Sequence, residues 1–172
     1  MKLVSIFGAL LIGLSVSVLA AEKPEVGDPT DDLASMVGCA AGGLALYHHD
    51  IDVASSISSL SADHATPQLT MLITSYKSMA EDERHRVDSY MEVISGSIMP
   101  VLAQGDMVGV LRQRVFQLLS QTSAKLAVAL GNPMHTIEDQ TQMHKKLSDQ
   151  SSNCETLAVA IREHYSNKPL EN

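Results

Sequence analysis

Tryptophan is missing from this 172-residue sequence, phenylalanine occurs twice and tyrosine four times. One phenylalanine, Phe7, lies in the apolar N-terminal stretch, which leaves Phe116 for everything after it. A core must therefore be assembled from Leu, Ile, Val, Met and Ala, residues that interdigitate well between helices. Alternating strand patterns and internal repeats are also missing, so sandwiches, barrels and solenoids are excluded as readings. Cysteine occurs twice, too few for a disulfide-dense miniature scaffold. No CxxC or CxxCH is present, so neither a thioredoxin-type redox site nor covalent haem is indicated. No HExxH helix and no serine elbow is found. Paired acids such as Asp31–Asp32 and Glu81–Glu83 read as surface charge, and no enzyme is expected.

Basic side chains are the other scarcity, 12 against 20 acidic, for a formal charge of −8. Without Lys2 the balance is 11 to 20, or −9. Such a surface argues against nucleic acid and anionic lipid; it permits a basic protein partner without demanding one, since a negative surface also serves solubility.

What is present begins with a secretory pattern: Lys2, an apolar Leu3–Leu14, and Val18-Leu19-Ala20 as a small-residue cleavage site. Residues 1–20 are expected to be a signal peptide and 21–30, with Pro24, Gly27 and Pro29, an extended leader. That places the protein in the periplasm or outside the cell, with no membrane anchor once the signal is cleaved. In that compartment Cys39 and Cys154 pair most simply with each other. Residues 31–167 then form one helical bundle domain, and 168–172 a loose tail.

The domain is organised around Asp31–Asp50. Thr30 is a suitable N-cap, and Asp31 and Asp32 favour the positive end of a helix. Leu33, Met36, Ala40, Gly43 and Tyr47 recur at three- and four-residue steps. Gly38, Ala41, Gly42 and Ala45 make a small-residue face that predicts close approach of another backbone. Asp52–Ala62 reads as a separate short helix. Thr66-Pro67 opens the next, with Leu69, Ile73, Tyr76, Met79 or Ala80, Val87, Tyr90, Met91 and Ile94 inward, until Gly96 and Pro100 kink or end it. Its charged run, Glu81–Arg86, predicts an Asp82–Arg86 ion pair and reads first as a solvated face. Its alternative role is a partner-binding knob at Glu81, Asp82 and Glu83. After Gly105-Asp106, Val108, Leu111, Val115, Leu118, Leu119, Thr122, Leu126 and Ala129 form a further stripe. Gly131-Asn132-Pro133 then starts the last helix, with Ile137, Thr141, His144, Leu147, Ser151, Cys154, Ala158, Ile161 and Tyr165 inward. The expectation is an all-α single-domain bundle of four long helices plus short ones, closed by one disulfide.

The disulfide supplies a register. With Cys39 opposite Cys154 on antiparallel helices, Met36 and His164, the one plausible haem pair, fall about 10 Å out of level. Asp50 and His144, 11 residues after and 10 before the cysteines, should instead arrive level on facing sides, with His49 beside them and His48 turned away. Two imidazoles and a carboxylate suit zinc or copper, so His49, Asp50 and His144 are the metal candidates. The plain reading is a histidine held at the core edge by one hydrogen bond. No other cofactor is expected. By elimination the chain reads as a non-enzymatic binding module, an inhibitor, immunity-type or accessory protein acting through protein–protein contact. The alternatives are a metal- or haem-binding bundle and, from the histidine and methionine content, an envelope stress chaperone.

Overall fold

The computed structural model describes residues 25–61, 65–132 and 134–166; the expected signal peptide, the first four residues of the expected leader and the whole expected tail lie outside them. Four long helices account for most of the fold: α1 (Pro29–Leu60), α2 (Pro67–Val93), α4 (Met107–Leu130) and α5 (Ile137–Ser166). The four-residue α3 (Met99–Leu102) sits between α2 and α4. Among the described residues there is no strand, and no helix is long and apolar enough to cross a membrane.

Helix α1 is the spine, and α2, α4 and α5 all pack against it. Its cap is Asp28, not Thr30: the Asp28 carboxylate accepts from the Thr30 and Asp31 N–H groups at 2.8 and 3.3 Å. Pro29 takes the first helical position, where its missing N–H costs nothing, and this moves Thr30 one step inside. The helix also runs straight through the expected break at Asp52. Neither glycine nor proline interrupts residues 44–60, and the Asp50 side chain is engaged by histidines instead of capping a new start. The separate Asp52–Ala62 helix therefore does not exist.

Thr66 Oγ1 caps α2 by accepting from Leu69 N–H, with Pro67 at the first position, as the sequence predicts. The helix stays regular to Val93 and then widens into a π turn, Ile94–Ile98. Pro100 supplies the cause: it has no N–H for the Gly96 carbonyl and its ring crowds that carbonyl, so the ladder slips by one residue. Gly105, at φ +57°, turns the chain into α4.

Helix α5 starts later than expected. Asn132 instead holds a turn, its Oδ1 accepting from Met134 N–H at 3.0 Å. Thr136 and Asp139 form a reciprocal capping box, each backbone N–H donating to the other side chain at 3.1 Å. Ile137, expected inside, is 84% exposed as a result. Pro133 lies outside the described residues.

Leu33, Met36, Val37 and Ala40 of α1 form the main core with Val87, Tyr90 and Val93 of α2, Val115 and Leu119 of α4, and Ala158 and Ile161 of α5. A smaller cluster of Ala45, Leu46 and Leu130 closes the far end. The expected disulfide, Cys39–Cys154, is formed across 115 residues of sequence.

The close approach falls on a different glycine from those expected. A Cβ at Gly38 would meet nothing, and at Gly42 only Leu147 in ordinary contact, whereas at Gly43 it would lie 2.8 Å from Val87 Cγ2. Valine is stiff at χ1 and cannot step aside cheaply. Gly43→Ala should therefore destabilise by about 1–3 kcal/mol through overpacking. Gly38→Ala should stabilise by up to about 1 kcal/mol, the helix preference of alanine over glycine. Paired urea unfolding curves followed by circular dichroism check both signs. The disulfide closes nearly the whole domain, so Cys39→Ser with Cys154→Ser should lose about 4–5 kcal/mol in the chain-entropy picture. Chemical denaturation of that variant against wild type measures it.

Candidate functional site

Asp50 sits at the inner edge of α1, and its side chain is 2% exposed. A carboxylate so placed needs partners. It has two: Oδ1 lies 3.1 Å from Nδ1 of His49, its neighbour in the chain, and 3.1 Å from Nε2 of His144 on α5. The histidine rings tilt against each other with centroids 5.2 Å apart. Their side chains are 21% and 27% exposed, so the group is closed on the protein side and reachable from solvent on the other. The helical period explains why these three meet. Eleven residues from Cys39 return Asp50 almost to the cysteine's face, and ten residues back from Cys154 place His144 at the same level. His48 points to solvent and stacks edge-on with Tyr47.

Each group shifts the other. Burial pushes the Asp50 carboxyl upward, but hydrogen bonds from His144 and His49, and then their charges, outweigh it and hold it below its ordinary value of 3.8. The hydrogen bond to Asp50 raises the His144 imidazole above 6.5 against the opposing effect of burial, with help from the charges of Asp50 and Glu83.

Glu83 belongs to the same neighbourhood, although the sequence places it in an exposed acidic run. It is buried, bonded to Arg86, and its Oε2 accepts from Ser151 Oγ at 3.2 Å. Arg86 pairs with Glu83 and, at 2.8 Å, with Glu155 of α5, not with Asp82. Of the candidate partner-binding acids, Glu83 is thus turned inward, Glu81 is held by Arg84 at 2.6 Å, and Asp82 faces solvent. The period held the signal: Ala80, Glu83, Val87 and Tyr90 recur at three- and four-residue steps, and all four are buried. A second inward polar contact was also missed. Tyr165 donates to Asp32 at 2.6 Å, with its phenol pushed upward by burial and by that carboxylate. Met36 lies in the apolar core, and the ring of His164 packs edge-on against Tyr165.

Comparison of the chain with family models, curated proteins and solved structures gave no match. The chemistry is therefore read from the site itself. His49, Asp50 and His144 each offer one ligating atom, and these atoms lie within 4.8 Å of one another. Two imidazole nitrogens and one carboxylate oxygen from two helices form a donor set for a borderline divalent ion, with the exposed side left for water.

In the metal-free protein the Asp50–His144 contact has a defined pH window. The raised His144 contributes stability that is complete below 6.5 and is lost as pH rises through its folded value. The lowered Asp50 contributes stability that is complete above 3.8 and is lost as pH falls through its folded value. Both operate together between those limits. Asp50→Asn should therefore cost about 1–3 kcal/mol in that window and progressively less toward pH 9 and pH 2. Melting temperatures of the two proteins across pH measure the difference.

Proposed function

We propose that this chain is an exported, non-enzymatic helical binding protein whose ligand is a divalent transition-metal ion, zinc or copper, held by His49, Asp50 and His144. The observation that carries the reading is the convergence of three ligating atoms from two helices, 94 residues apart in sequence, at a solvent-reachable edge of the bundle. Support for export comes from the Lys2-led apolar segment and from the disulfide, which is compatible with an oxidising compartment. Protein–protein contact through the acidic run is less well supported, because Glu83 is buried and Glu81 is engaged by Arg84.

The site's design suits reversible loading. The disulfide and the apolar core hold α5 against α1 without a metal, so the ion is not asked to fold the chain. An incoming ion takes the place of the proton shared between His144 and Asp50, so affinity rises with pH. Three protein ligands with an open fourth position match an exchangeable site better than a sealed structural one.

The test is equilibrium dialysis of the chelator-stripped mature protein against zinc and against copper, with metal content read by mass spectrometry. One equivalent per chain is expected. His144→Ala, His49→Ala and Asp50→Asn should each weaken binding by more than the about 10- to 100-fold that loss of a supporting hydrogen bond costs. His48→Ala, one residue away and exposed, should leave it unchanged. Binding that survives His144→Ala, or none at all with either metal, would sink the reading.

A further inference from the structure

The three metal ligands are divided unequally between their helices. His49 and Asp50 both belong to α1, and His144 alone comes from α5. The donor set is complete only while α5 stands at its proper level. A slip of one residue moves His144 by about 1.5 Å and turns it by about 100°, against a tolerance of about 0.2 Å in metal–ligand distances.

The stretch of α5 that delivers His144 has little to hold it. None of residues 137–150 is buried, and the helix first buries a side chain at Ser151. Met143 and Leu147, each half-buried, rest on the small cluster of Ala45, Leu46 and Leu130, an apolar contact that specifies no register. Ser151 and Glu155 tie α5 to Tyr90, Glu83 and Arg86 of α2, not to α1. Tyr165 does reach Asp32 of α1, but 11 residues beyond Cys154, on the side away from His144. The fixed point nearest the site, between the two helices that carry the ligands, is the Cys39–Cys154 bond, which holds their Cα atoms 5.7 Å apart. Both cysteines are half-buried, so a thiol or disulfide in solution can reach the sulfurs.

We infer that metal loading is conditional on this disulfide: the site takes its divalent ion with full affinity only after Cys39 and Cys154 have been joined. The inference rests on the reading of His49, Asp50 and His144 as a metal site. The covalent step is thiol–disulfide exchange. The two thiols give up two protons and two electrons to a disulfide oxidant, RSSR, which leaves as two RSH as the S–S bond forms. In a reducing compartment the chain keeps two ligands on α1 and lacks a fixed third. In an oxidising one the new bond brings His144 level with Asp50 and the site closes. An exported chain then collects its ion where it acts and not where it is made. The coupling is reciprocal: the factor by which the bond raises metal affinity is the factor by which bound metal favours the oxidised form.

The test compares the zinc affinity of the oxidised mature protein with that of Cys39→Ser with Cys154→Ser, which also removes the thiols that could bind zinc themselves. The variant should bind about tenfold more weakly or worse, a loss that completes one tenth-power step of coupling. Where its circular dichroism shows that it has not folded, the wild-type protein decides. Equilibrated with reduced and oxidised glutathione, its midpoint should move to more negative potential at a fixed free zinc concentration, by about 30 mV for each tenfold of coupling. The shift should vanish in His144→Ala. Oxidised protein that binds neither zinc nor copper would sink the metal reading and this inference with it. Zinc bound equally well by the oxidised protein and by the folded cysteine-free variant would overturn the inference alone. So would a midpoint that zinc leaves in place, or a shift equally large in His144→Ala.

Discussion

The disulfide between Cys39 and Cys154 sets the level at which α5 meets α1, and the other contacts of α5 depend on that level. Helix α5 is a poor candidate for docking by hydrophobicity alone. Its fully buried side chains are Ser151, Ala158, Ile161 and Tyr165, two of them polar. It is held instead by a ladder of specific ties: Tyr165 to Asp32 near one end, the disulfide in the middle, Ser151 to Glu83 and Tyr90, and His144 to Asp50 near the other. A slip of one residue would rotate every rung by about 100° and break all of them together. Tyr165 lies four residues farther from the disulfide than Asp32 does on the opposite helix. Its long side chain makes up the difference because helical side chains lean toward their own N-terminus.

An acidic protein that buries three carboxylates sets itself an electrostatic problem, and it solves each case locally. Asp32 receives a phenol, Asp50 two imidazoles, Glu83 a guanidinium and a hydroxyl. These groups discriminate between the native register and its neighbours more than they add net stability, because a mis-docked α5 would leave buried charge without a partner. Apart from Tyr90 and Tyr165, the apolar core is made of Leu, Ile, Val, Met and Ala that many packings would accept, so it supplies attraction but little direction.

Much of this was legible beforehand. The all-helical class, four long helices, the disulfide and the meeting of Asp50 with His144 all follow from the 3.6-residue period and one covalent constraint. The misreadings share a cause: they took a residue's chemistry as a guide to its position. Thr30 was the better-looking cap, but Pro29 had already claimed the first helical position. Asp52 resembled a new start, but nothing before it ended the old helix. Glu83 belonged to a charged run by composition and to the core by period, and the period prevailed because Ser151 and Arg86 were there to receive it. No pattern in the sequence reveals the partner of a buried acid that lies 68 residues away.

The same covalent link gives the protein an unusual topology. Cys39 and Cys154 bracket all three connections between the long helices, at residues 61–66, 94–106 and 131–136. Cutting the backbone once in any of them opens the chain but releases no piece, because both sides of the cut remain joined through sulfur. Cleavage in a connection, which usually frees a helix, is thereby rendered harmless. A nicked molecule keeps its helices at the effective concentration of an intact one and can close again. That is protection by connectivity and not by rigidity.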